Sequence, residues 1–91
     1  MSRKYKIHDQ QDLHFLSYAV VGWVDALSRP LYKNIVVESL VYCQKAKGLQ
    51  LYAWCIMNNH VHLIAKASEG IQLQDILRDH KKFTARKIVE A

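Results

Sequence analysis

The chain has 91 residues, 51% of them hydrophobic and 23% charged, with three Gly and one Pro. That describes one small globular domain and excludes a second domain, a disordered chain and a low-complexity linker. A net charge of +5 suits nucleic acid or another anionic partner but does not choose between them.

Residues 1–12 are basic, then polar, and form an N-terminal arm without the apolar core of a signal peptide. Arg3 and Lys4 in this arm could touch a phosphate backbone. Residues 13–23 are rich in aromatic and β-branched side chains and predict a strand. Pro30 breaks that pattern. Asn34 can cap a helix whose apolar positions are Val36, Val37, Leu40, Val41 and Cys43. Gly48 ends it, after Lys45 and Lys47 in the last turn. Residues 49–57 form an almost continuous apolar run and predict a buried strand. Asn58-Asn59 is turn chemistry, and residues 60–67 predict a second strand pairing antiparallel with the first. From Gln72 the pattern is helical, with Leu73, Ile76, Leu77, Phe83 and Ile88 on one stripe and Arg78, Lys82 and Arg86 on another. The order strand-helix-strand-strand-helix is the front of a split βαβ, ferredoxin-like α+β fold with an antiparallel sheet.

No apolar run approaches the ~20 residues of a membrane-spanning helix. Cys43 and Cys55 are too few for a disulfide scaffold. Their apolar surroundings predict buried thiols in a reducing cytoplasm.

His60 and His62 are the sharpest chemical feature. Residues two apart in a strand share a face. Two imidazoles there can chelate one divalent cation, with other groups and water completing the site. The plainer alternative is two half-exposed strand histidines. Lys81, Lys82, Arg86 and Lys87, with Arg78, make the last helix the most basic segment. This is either a phosphate-binding surface or a solvated face. Trp23 and Trp54 could stack bases, but their apolar context predicts core packing. His80 falls in the apolar stripe and predicts a packed histidine. Asn59 could hold the turn or orient a ligand, and its turn chemistry favours the first.

Residues 52–64, YAWCIMNNHVHLI, resemble the signature of the single-tyrosine HUH transposases. These are the insertion-sequence-200/605-like enzymes and the REP-associated tyrosine transposases. A hydrophobic strand, a Met-x-Asn turn and a His-hydrophobic-His strand carry the likeness, with Asn58 standing where the family usually has Pro. Residues 1–5, 42–48 and 75–84 are similar to one bacterial branch of the same family. The resemblance implies that His60 and His62 help hold Mg²⁺ or Mn²⁺. It further implies a substrate of single-stranded or hairpin DNA, a tyrosine that attacks a phosphate to give a 5′-phosphotyrosine, and a homodimer. The family's nucleophile lies on a helix well downstream of the His pair. Tyr5, Tyr18, Tyr32, Tyr42 and Tyr52 all precede it. The expectation is therefore a partial transposase domain without its catalytic tyrosine, final strand and tyrosine helix. A non-catalytic DNA-binding or dimerisation module derived from a transposase is the alternative.

Overall fold

The structure, a computed structural model, describes residues 11–19 and 26–90. Among them β1 (His14–Ala19), α1 (Pro30–Ala46), β2 (Leu49–Ile56), β3 (His60–Ala67) and α2 (Leu73–Glu90) follow in the expected order. The sheet order is β1-β3-β2, and β3 is antiparallel to both neighbours. β1 and β2 therefore run parallel with β3 between them, which is the split βαβ of an α+β fold. Of the strand expected over residues 13–23, residues 20–23 lie outside the described residues.

β3 sits at the centre because its sequence alternates. Val61, Leu63, Ala65 and Ala67 are buried, and His60, His62, Ile64 and Lys66 face the other way. The buried set meets Leu16 of β1, Leu49 of β2, Val36, Leu40 and Cys43 of α1, and Leu73, Ile76, Leu77 and Ile88 of α2 in one core. Both helices thus cover one face of the sheet. The other face is open among the described residues.

Five local expectations change. α1 begins at Pro30, not after Asn34: Arg29 is the extended cap residue, with no side-chain capping bond. The fixed φ of proline and its missing donor suit the first helical position, where that N–H would have no partner anyway. β2 is an edge strand, so only Leu49 in it is buried. Trp54 is 55% exposed and Cys55 is exposed, against the packed indole and buried thiol expected. A register shift between Leu51 and Ala53 adds a residue to β2 and reverses its inward alternation. On α2, Phe83 is 37% exposed, and Thr84 takes the buried position in its place. The inward row is Leu73, Leu77, His80, Thr84 and Ile88, a spacing of three or four that passes Phe83 by.

Gly48 ends α1 as expected, with φ of 80°. A Cβ there would meet Ile71 Cγ1 at 3.1 Å, so this close approach as well as the left-handed backbone calls for glycine.

His80 is packed, at 1% exposure, and it joins three elements. Its Nδ1 lies 2.8 Å from Ser39 Oγ on α1, and its Nε2 is hydrogen-bonded to the Tyr18 hydroxyl on β1. A neutral ring serves both: one hydroxyl donates to the ring, and the ring N–H donates to the other. Burial, with Lys81 adding a like charge, pushes His80 down from 6.5 to about 4. Burial also holds the Tyr18 hydroxyl protonated.

Two predictions arise here. Leu63→Ala, at a side chain with no exposure, should cost about 2–5 kcal/mol in urea unfolding, whereas Val89→Ala, at 67% exposure, should stay within about 0.5 kcal/mol. The depressed His80 value gives stability that is complete above pH 6.5 and erodes as pH falls toward 4. Between pH 7.5 and pH 4 the loss should be about 3 kcal/mol, and His80→Gln should remove that part of the acid dependence.

Candidate functional site

Two strands and a two-residue turn build the site. β2 and β3 are closed by Met57 N–H donating to His60 O at 2.8 Å, which leaves Asn58-Asn59 at the tip. Leu27 N–H, from the 3-10 turn Ala26–Ser28, donates to Asn58 O at 2.8 Å and fixes the tip from outside the hairpin. Met57, Asn58, Asn59, His60 and His62 line an open hollow of about 600 Å³.

His60 and His62 stand on the open face with ring centroids 6.1 Å apart and planes within 9° of parallel. His60 Nδ1 and Asn59 Oδ1 are 2.8 Å apart. The ring N–H donates there, so Nε2 keeps its lone pair. Asn59 therefore orients a ring as well as shaping the turn, so both of its sequence readings apply and not the turn alone. His62 Nδ1 is buried and has no hydrogen-bond partner. Such an orphaned nitrogen calls for a ligand or a proton acceptor. The pair thus fits a cation on donor chemistry. Among the described residues no group of three or more His, Cys, Asp or Glu is placed to hold a metal ion. Cys55, opposite His62 in register, shares the face without joining such a group.

Phe15 is a residue that sequence reasoning missed. Its ring lies 6.0 Å from that of His62 and within 3° of parallel, yet it is 68% exposed. The two-residue alternation of β1, with Leu16 inward, was the available signal.

The basic residues of α2 belong to the other layer, so the fold does not bring them onto the His-pair face. Arg78 is bound to Asp75 at 3.2 Å and Asp79 at 3.3 Å. Asp79 also accepts from Lys47 at 2.9 Å, and this hydrogen bond is the main cause that holds its carboxyl below the usual range. Lys81 reaches the rim of β1, 6.0 Å from the Tyr18 ring centroid. Arg86 and Lys87 both approach Glu90, at 4.0 Å and 3.8 Å, and both lie 5.8 Å from the Phe83 centroid. Lys82 is exposed, with no salt-bridge partner among the described residues. Arg3, Lys4 and Trp23 lie outside the described residues.

No described helix is long and apolar enough to cross a membrane. Comparison with curated proteins and with solved structures gives no match. A family model described as "Transposase IS200 like" matches residues 25–91, which takes in both helices, the hairpin and the His pair. The match spans well over half of the sequence, and the chain belongs to the IS200-like transposase family.

Proposed function

We propose that this chain binds single-stranded or hairpin DNA together with one divalent cation, Mg²⁺ or Mn²⁺, in DNA transposition. The observation that carries this reading is the His pair: two near-parallel imidazoles on one face, one oriented by Asn59 and one with an unpartnered buried nitrogen. His60 and His62 would hold the cation, which when bound polarises a scissile phosphate and stabilises charge on the leaving oxygen. With two protein ligands the cation is held weakly.

The described tyrosines are poorly placed to attack at this pair. Tyr18 turns to the helical layer and bonds His80. Tyr32 and Tyr42 are on α1. Tyr52 lies beside Lys66, 5.9 Å from ring centroid to Nζ. Lys66 is four residues along β3 from His62, about 13 Å at the rise of a strand. Among the described tyrosines, which do not include Tyr5, this placement favours binding over strand cleavage, and so supports a non-catalytic DNA-binding or dimerisation module derived from a transposase as the second reading.

Phosphate contacts would come from Lys82 and Lys81, with Arg78, Arg86 and Lys87 contributing less because carboxylates engage them. Arg3 and Lys4 would add the arm. Among the described residues β1 and β2 each leave one strand edge unpaired. An unpaired edge invites a second copy, so the assembly proposed is a homodimer. The exposed free thiol of Cys55 suits a reducing cytoplasm.

Mn²⁺ at about 100 times its Kd should stabilise the protein by about 2.7 kcal/mol, read as a rise in Tm. The His60→Ala, His62→Ala double variant should show no rise, and an unshifted Tm in the parent protein would overturn the metal site. Hairpin affinity should fall steeply with salt, and Lys82→Ala should reduce the log–log salt slope by about 1. On a labelled single-stranded hairpin with Mn²⁺, no denaturant-stable protein–DNA adduct should form. An adduct lost in one Tyr→Phe variant would instead name a nucleophile.

A further inference from the structure

Among the described residues no core contact calls for an aromatic side chain at Phe15. It sits on the sheet face that no described helix covers, at 68% exposure, and its strand partner Ile64 is only half-buried. Removing it from the open face would leave the core intact, because Leu16, its neighbour on β1, supplies the inward side chain. Its ring is nonetheless ordered with respect to the site. Phe15, His62 and His60 form a series of three near-parallel rings, with successive centroids 6.0 Å and 6.1 Å apart and planes within 3° and 9° of each other. Phe15 stands at the end of that series.

The charge of the face narrows what could lie on it. β1, β2 and β3 contain no Asp or Glu. Lys66 lies on this face, 5.9 Å from the Tyr52 ring centroid. A sheet face whose strands carry a lysine and no carboxylate, with a flat exposed ring, is complementary to a flexible polyanion that carries planar groups. A single strand of nucleic acid is such a chain, since any base can stack on an aromatic ring. A duplex keeps its bases stacked on each other and cannot present one to Phe15.

We propose that Phe15 is a base-stacking residue: it holds one unpaired nucleobase beside the His pair and so sets the position of the strand along the sheet. The inference deepens the DNA-binding reading and rests on it. Phe15 would be a positioning residue, acting on the base while the histidines face the phosphate. The stacking needs no particular base, so it favours single strands over duplexes without reading sequence.

The test measures binding of an unstructured oligothymidylate and of a duplex of equal length to the full chain, by fluorescence anisotropy at fixed salt. Phe15→Ala should weaken single-strand binding roughly 5- to 100-fold. It should leave duplex binding, the salt slope and the Tm unchanged. Phe15→Trp should retain single-strand affinity, and Phe15→Leu, which keeps an apolar side chain, should lose it as Phe15→Ala does. Wild-type affinity in Phe15→Ala or Phe15→Leu overturns the stacking role and leaves the DNA-binding reading standing. Failure of the parent chain to bind oligothymidylate overturns the inference, and failure to bind the hairpin as well overturns the DNA-binding reading with it. A change of oligomeric state by light scattering in Phe15→Ala, with DNA binding intact, would assign the face to a second copy and overturn the inference as well.

Discussion

The two-residue alternation of β3 is the constraint on which the rest of the molecule depends. Each residue in it is committed to one of two chemistries. Val61, Leu63, Ala65 and Ala67 close the core. His60 and His62 are thereby set on the opposite face, one strand period apart. A slip of one residue in pairing would bury both imidazoles and expose four core side chains. Strands on both sides prevent that slip, since β1 and β2 each hold β3 through an antiparallel register. The site is therefore held by the most constrained element of the fold, although its residues sit at the sheet surface.

A core this small carries a polar element at its centre. His80 links α2 to α1 through Ser39 and to β1 through Tyr18. Hydrophobic side chains could fill the same volume, but they would not specify orientation as two directed hydrogen bonds do. Removal of one partner would strand a buried polar group, at a cost of about 1–3 kcal/mol. The link ties β1 to the helical layer from below, while Phe15 of the same strand reaches toward His62 above. β1 thus belongs to both layers.

Much of this was legible in the sequence, and the reasons differ by element. Strand and helix order followed from patterns with clear periods: the alternation of residues 60–67, the turn at Asn58-Asn59, and the stop at Gly48. Burial within an element was legible only where the pattern was unambiguous. The apolar run of β2 looks the same in a central and an edge strand, because exposure of Trp54 and Cys55 depends on how many neighbours the strand has. The place of α2 was equally out of reach. Its charges form a row in the sequence, but only the packing shows that the row lies across the sheet from His60 and His62. Asn59 stands next to His60 in the chain, so its orienting role was open to a sequence reading, whereas the alternation of β1 gives the face of Phe15 but not the ring it meets.

The bond from Leu27 N–H to Asn58 O joins the segment just before α1 to the tip of the hairpin. Asn58 is one residue from Asn59, whose side chain holds the His60 ring. The helical layer and the imidazole pair are therefore connected around the end of the sheet as well as through β1. The hairpin tip is thus a second joint between the two sides of the molecule, made by a backbone hydrogen bond where β1 uses side chains.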